Sequence, residues 1–152
     1  MKTPLLSVVI PTWNRAHVVC DAVNSALAQR PDEVEVVVVD DASTDGTVAL
    51  LEREFSSCIR LLRLDRQRGP GGARNAGVSL ARGEFVSFLD SDDVWLRGKL
   101  DCELEAFRRF PDAEAVISDS QGYFEGEPVG SSRFTQTGLL DATCGKTCLA
   151  SD

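Results

Sequence analysis

A chain of 152 residues, 43% hydrophobic and 26% charged, has the make-up of one globular domain or slightly less. Its net charge of −8 argues against nonspecific nucleic-acid binding, which needs a cationic surface, and leaves room for a local basic pocket that takes a phosphorylated small molecule. No apolar run approaches the ~20 residues that span a bilayer, and residues 1–6 lack a signal peptide's apolar region and cleavage site. The expected location is therefore cytoplasmic, at most peripheral at the inner membrane face. The cysteines, Cys20, Cys58, Cys102, Cys144 and Cys148, are odd in number and read as reduced thiols. Cys144-x-x-x-Cys148 lacks the second Cys/His pair that a four-ligand zinc site needs.

Residues 6–10 read as a first strand, closed by Pro11. Asn14 is placed to cap a helix running to about Gln29, with Val19, Ala22, Val23, Ala26 and Leu27 at helical spacing. Residues 34–39 form a second strand, too apolar to be half-exposed and therefore central. A short helix over 47–55 and a third strand over 59–64 follow. Gly71-Gly72 lead into a helix that ends near Arg82, with Gly83 placed as its C′ residue. A fourth strand covers 84–89, a helix 97–110 closed by Pro111, and a fifth strand 115–118 with Asp119 at its end. Beyond Gly122 the periodicity fades, apart from a strand signal near Tyr123. Strand–helix alternation predicts an α/β, Rossmann-like fold with a mostly parallel central sheet and helices on both faces.

In such a sheet three polar clusters converge on one edge: Pro11-Thr12-Trp13-Asn14-Arg15, Asp40-Asp41-Ala42-Ser43-Thr44-Asp45-Gly46, and Asp90-Ser91-Asp92-Asp93. Clustered acids repel one another, and a hard cation such as Mg²⁺ or Mn²⁺ relieves this while sharing substrate phosphates. The competing reading of the last cluster is a helix-capping loop. The second cluster, with Glu52 downstream, has nearly the spacing of a calcium-binding EF-hand. The β-branched run 36–39 before it excludes the required helix. A carboxylate that accepts from a base or ribose fits better, beside helix capping by Ser43 or Asp45. Gly69-Pro70-Gly71-Gly72 is a glycine-rich entry to a helix, suited to phosphate approach but without dinucleotide spacing. Gly145-Lys146-Thr147 is not a P-loop, because Leu140 stands where that motif needs glycine. Arg74 is placed to pair with Asp41 or with a diphosphate, against the alternative of a solvated helix arginine. His17, the sole histidine, reads as a surface residue, and Trp13 and Trp95 serve either the pocket or packing.

Four segments in register, over residues 7–15, 38–47, 71–77 and 88–93, resemble family 2 glycosyltransferases, inverting enzymes of the GT-A fold. The resemblance covers about residues 5 to 120. It implies a nucleotide diphosphate sugar donor, commonly a UDP-sugar, and a divalent metal, Mn or Mg. Pro11, Thr12, Asn14 and Arg15 would line the nucleoside site, Asp41 would bond the base, and Arg74 would support the nucleotide. Asp90-Ser91-Asp92 matches the family's DXD motif, which binds ribose and metal, with Asp92 the first metal ligand, Asp90 beside it and Asp93 the fallback. The donor part would occupy 1–122, and 123–152 would begin an incomplete acceptor part. The family's catalytic base lies well downstream of the DXD. Asp119 is a weak substitute and Asp141 has no supporting context, so the chain reads as a fragment whose base lies beyond Asp152. The acceptor stays open among saccharide, lipid-linked saccharide and protein, and exposed apolar surface predicts self-association. Two other functions stay open, a catalytically inactive nucleotide-sugar-binding module and a nucleotidyltransferase.

Overall fold

The computed structural model describes residues 3–124 and 127–130. It divides into two compact units, Met1–Arg97 and a second that begins at Gly98. In the first, strands β1 (Leu6–Thr12), β2 (Val34–Asp40), β3 (Ile59–Arg63) and β4 (Phe85–Phe88) alternate with helices α1 (Val19–Leu27), α2 (Thr47–Phe55) and α3 (Gly69–Leu80). The strands pair in parallel in the order β3-β2-β1-β4. The chain winds from β1 outward to β3, then returns to lay β4 on the other side of β1. The crevice between β1 and β4 is thus the topological switch point, where open α/β sheets receive ligands.

The valine runs of β1 and β2 are buried on both faces, as central parallel strands require. Val9, Val37 and Val39 pack with Ala73 of α3. The alternate positions Val8, Ile10, Val36 and Val38 are equally buried on the opposite face, which belongs to α1 and α2. Helix α3 lies directly on the sheet at Gly77, where a Cβ would overlap Val9 Cγ1 and sit 3.2 Å from Val39 Cγ2. No described helix is long and apolar enough to cross a membrane.

The structure corrects five sequence expectations. Pro11 does not stop β1, which continues through Thr12 in register with β2. Its missing N–H is on the β4 side, where pairing has already ended at Val9 opposite Phe88, so no ladder bond is lost. Helix α1 starts at Val19, because the residues from Asn14 onward bond to the loop after β2. The glycine-rich stretch is the first turn of α3, with Pro70 inside it, and not a loop before the helix. Gly83 is not a left-handed cap: an extended Ala81 closes α3, and glycine is needed at 83 because a Cβ would lie 2.5 Å from the Ser7 backbone nitrogen. Residues 115–118 form no strand. Ile117 is 79% exposed there, and three apolar residues between Glu114 and Asp119 make too short a run to bury a strand face.

The second unit holds α4 (Lys99–Arg109) and an antiparallel hairpin of β5 (Gly122–Phe124) and β6 (Glu127–Val129). Gly98, at φ 79°, precedes α4 and sets its start two residues later than expected. The strand signal near Tyr123 is thus part of a hairpin. Asp141, Cys144, Cys148 and the segment 145–147 lie outside the described residues.

Candidate functional site

Three strand ends meet beside the switch point. The loops after β1 and β2 are latched together by reciprocal hydrogen bonds. The Asn14 N–H donates to Ser43 Oγ (2.9 Å), the Arg15 N–H to Thr47 Oγ1 (3.0 Å) and the Ala16 N–H to Asp45 Oδ2 (3.3 Å). Asn14 Oδ1 accepts in return from the N–H groups of Thr44 (2.8 Å) and Asp45 (3.3 Å). Asn14 therefore caps nothing of its own helix; it fastens the next loop. Asp45 Oδ1 also accepts from the Thr47 N–H at 2.9 Å, one residue before the cap position of α2, Gly46. Burial alone would raise the Asp45 carboxyl, but the bonds from Thr47 and Ala16 outweigh it and hold it below the usual carboxylate range.

Asn14 (φ 51°) and Ala42 (φ 62°) have left-handed backbones. Asn tolerates this, whereas for Ala it is a strain that the surrounding bonds hold in place. One of those bonds runs from the Ser43 N–H to Asp40 Oδ2, at 3.0 Å. Asp40 and Thr12 are buried neighbours across the ladder, and Thr12 Oγ1 and Asp40 Oδ1 have no hydrogen-bond partner among the described residues.

Asp41, 3% exposed, accepts from the N–H groups of Arg68 (2.7 Å) and Gly69 (2.8 Å). These are donors at the start of α3, so the carboxylate caps that helix and opposes the positive end of its dipole. Each oxygen keeps a further lone pair. The expected partnership of Arg74 with Asp41 does not form; Arg74 Nη2 donates to Asp90 Oδ1. Across the crevice Arg15 Nη2 stands 3.5 Å from Asp92 Oδ2. Asp90 and Asp92 are 50% and 56% exposed, while Ser91 between them is buried and the Asp93 N–H turns back to the Asp90 carbonyl (3.0 Å).

Among the described residues no three His, Cys, Asp or Glu side chains gather into a cation cage. The donor set nevertheless suits Mg²⁺ or Mn²⁺, which take one or two carboxylates and complete their shell with water and substrate phosphates. Asp90 and Asp92 are hard, exposed oxygen donors, and among the described residues Arg74 and Arg15 are the side chains paired with them. His17 and Trp13 are exposed, and Trp95 is buried with its backbone N–H donating to Ser25 Oγ (3.0 Å). Asp119 is exposed in the second unit, with no strand before it. Sequence reasoning missed Thr47 as a latch residue and the backbone partners of Asp41. A hydroxyl at a helix start was the available signal for the first; no local signal pointed to the second.

The family model described as Glycosyl transferase family 2 matches residues 7–143. The succinoglycan biosynthesis protein ExoO of Rhizobium meliloti is 51% identical over 93 residues, 61% of this chain and 27% of that protein. Among solved structures, S. aureus TarS 1–349 in complex with UDP-GlcNAc superposes with a TM-score of 0.67 at 30% identity, over 85% of this chain and 38% of that one. The mannosyltransferase PcManGT from Pyrobaculum calidifontis, in complex with GDP-Man and Mn²⁺, superposes with a TM-score of 0.63 at 31% identity, over 70% of this chain and 33% of that one. The fold is thus that of GT-A glycosyltransferases, and the chain spans only part of the proteins it matches, 27% of ExoO and 38% of TarS 1–349.

Proposed function

The chain belongs to glycosyl transferase family 2, and from that premise we propose that it holds a nucleoside diphosphate sugar at the switch-point crevice for inverting transfer to an acceptor hydroxyl, with a divalent cation. The observation that carries this reading is the pair of exposed ion pairs, Arg15 with Asp92 and Arg74 with Asp90, at the carboxyl ends of β1 and β4. Such pairs contribute little to stability in water and can be exchanged. Arg15 and Arg74 would exchange their carboxylate partners for the oxygens of an entering diphosphate, and Asp90 and Asp92, with Asp93 the fallback, would hold Mn²⁺ or Mg²⁺. The chemistry such a cation would supply is neutralisation of the charge developing on the departing diphosphate. The arginines add to this, an electrostatic contribution of several kcal/mol in typical sites.

Pro11, Thr12 and Asn14 form the nucleoside wall, and Asp41 recognises the base through the lone pairs its helix cap leaves. UDP is the favoured nucleotide, by likeness to TarS in its complex with UDP-GlcNAc. Attack at the anomeric carbon needs a general base to take the acceptor's proton. By the family resemblance we assign that role to a carboxylate downstream of the Asp90 cluster, with Asp119 a weak candidate.

Calorimetry of the chain with UDP, thymidine diphosphate and guanosine diphosphate, with and without Mn²⁺, tests the site. UDP is expected to bind more tightly with the cation, and Asp92→Asn to remove the cation's contribution. No nucleotide binding in the presence of Mn²⁺ would end the site assignment. An unchanged Mn²⁺ effect in Asp92→Asn would move the ligand role to Asp90 or Asp93.

A further inference from the structure

A heavily bonded side chain, that of Glu35, lies at the opposite end of the sheet. Glu35 of β2 is 9% exposed. Its Oε1 accepts from the Ser7 hydroxyl (2.6 Å) and the Arg82 backbone N–H (2.6 Å). Its Oε2 accepts from Arg82 Nε (2.9 Å) and Nη2 (2.8 Å). Arg60 Nη1 stands 3.7 Å from the same Oε2 and donates to the Leu80 carbonyl in the last turn of α3. Ser7 Oγ accepts in turn from the N–H groups of Arg82 (3.1 Å) and Gly83 (2.8 Å).

This knot closes the joint between α3 and β4. Both elements reach from it to the carboxyl end of the sheet, where α3 carries Arg74 and the segment after β4 carries Asp90. Helix α3 has no slack between its ends, because Gly77 is pressed onto Val9 and Val39. Its other end is tied by Asp41. Two acids at the two ends of β2, Glu35 and Asp41, therefore hold the helix that presents Arg74. A shift at the joint reaches Arg74 along one element and Asp90 along the other.

We propose that Glu35 is a positioning residue of the nucleotide site: by fixing the α3–β4 joint it sets how Arg74 meets Asp90, without touching the ligand. The proposal rests on the reading of that pair as the diphosphate- and cation-facing group.

Glu35→Gln keeps the shape of the side chain and removes its charge. Two readouts apply to the whole chain: the Arg74 Nε–H resonance without nucleotide, and UDP affinity with Mn²⁺ for the wild type, Glu35→Gln, Arg74→Met and the double variant. Glu35→Gln is expected to move the Arg74 resonance and to weaken UDP roughly 3- to 30-fold, the usual size of coupling between separated sites. In the Arg74→Met background that loss should vanish. An unmoved Arg74 resonance, or the same loss in both backgrounds, would reduce Glu35 to a structural residue and overturn the proposal. If the wild type binds no UDP, the proposed function fails, and the Arg74 resonance alone decides about Glu35. Should Glu35→Gln not fold, Ser7→Ala removes only the hydroxyl that links Glu35 to Gly83 and is judged by the same readouts.

Discussion

The two ends of the β-sheet both pair carboxylates with guanidinium groups, and they are built in opposite ways. At the carboxyl end Asp90 and Asp92 are half exposed, and among the described residues each meets one arginine. At the amino end Glu35 is buried, and Ser7 and Arg82 supply donors to both of its oxygens. A charge that must exchange its partner for a ligand has to be cheap to release, which means solvated and singly bonded. A charge that holds a joint has to be costly to release, which means desolvated and bonded on all sides.

The strongest way to break this comparison is to remove each acid in turn. Glu35→Ala should lower unfolding free energy by about 1–3 kcal/mol, since it leaves the buried Ser7 hydroxyl without its acceptor and removes the charged partner of the Arg82 guanidinium. Asp92→Ala should change it by less than about 1 kcal/mol. Urea denaturation of both variants is the measurement, and equal losses would erase the distinction between the two ends.

Acid titration sharpens it. Burial by itself would raise the Glu35 carboxyl, but the bonds from Ser7 and Arg82 and the Arg82 charge outweigh it and hold it below its ordinary value of 4.5. The unfolded chain then binds the proton first. The stabilisation from Glu35 is complete above about pH 4.5 and is lost as pH falls through the lower folded value. The stability difference between wild type and Glu35→Gln should therefore shrink as pH falls below 4.5; a difference constant down to pH 3 would show that the charge of Glu35 contributes nothing.

The smallest expected effect concerns the strained loop beside the exposed acids. Ala42→Gly relieves a left-handed alanine, a cost of roughly 1–2 kcal/mol, and adds glycine's entropy cost of about 0.5–1 kcal/mol. The net expectation is a rise in melting temperature of a few degrees, read by thermal unfolding. A fall would mean that the Ala42 methyl makes contacts worth more than the strain.

Much of the first unit was legible from its residues alone. Valine runs without alternation marked β1 and β2 as central strands, because burial on both faces leaves no polar side to display. The acids and Asn14-Arg15 stood immediately after those runs, and strand direction alone carries such residues to one edge. Local reading failed where a distant segment decided the outcome. Asn14 looked like a helix cap, but Ser43, Thr44 and Asp45 claimed it across a gap of some thirty residues. Gly83 looked like a helix terminator, and the backbone of Ser7, seventy-six residues earlier, is what requires it. Residues 115–118 looked like a strand, but among the described residues this short apolar run pairs with no neighbouring strand, and Ala115 and Ile117 stay exposed.

By itself the sequence determined the order of strands and helices, the polar edge and its chemistry, because periodicity and residue type are local properties. Only the tertiary structure decided which arginine meets which acid. Arg74 went to Asp90 and not to Asp41, whose carboxylate meets the N–H groups at the start of α3. Glu35, a lone charge in a valine strand, gained its role only when the fold brought Ser7, Arg60 and Arg82 around it. Partner choice among like charges depends on where the backbone delivers each donor, and that is a property of the packed sheet and helix, not of any segment alone.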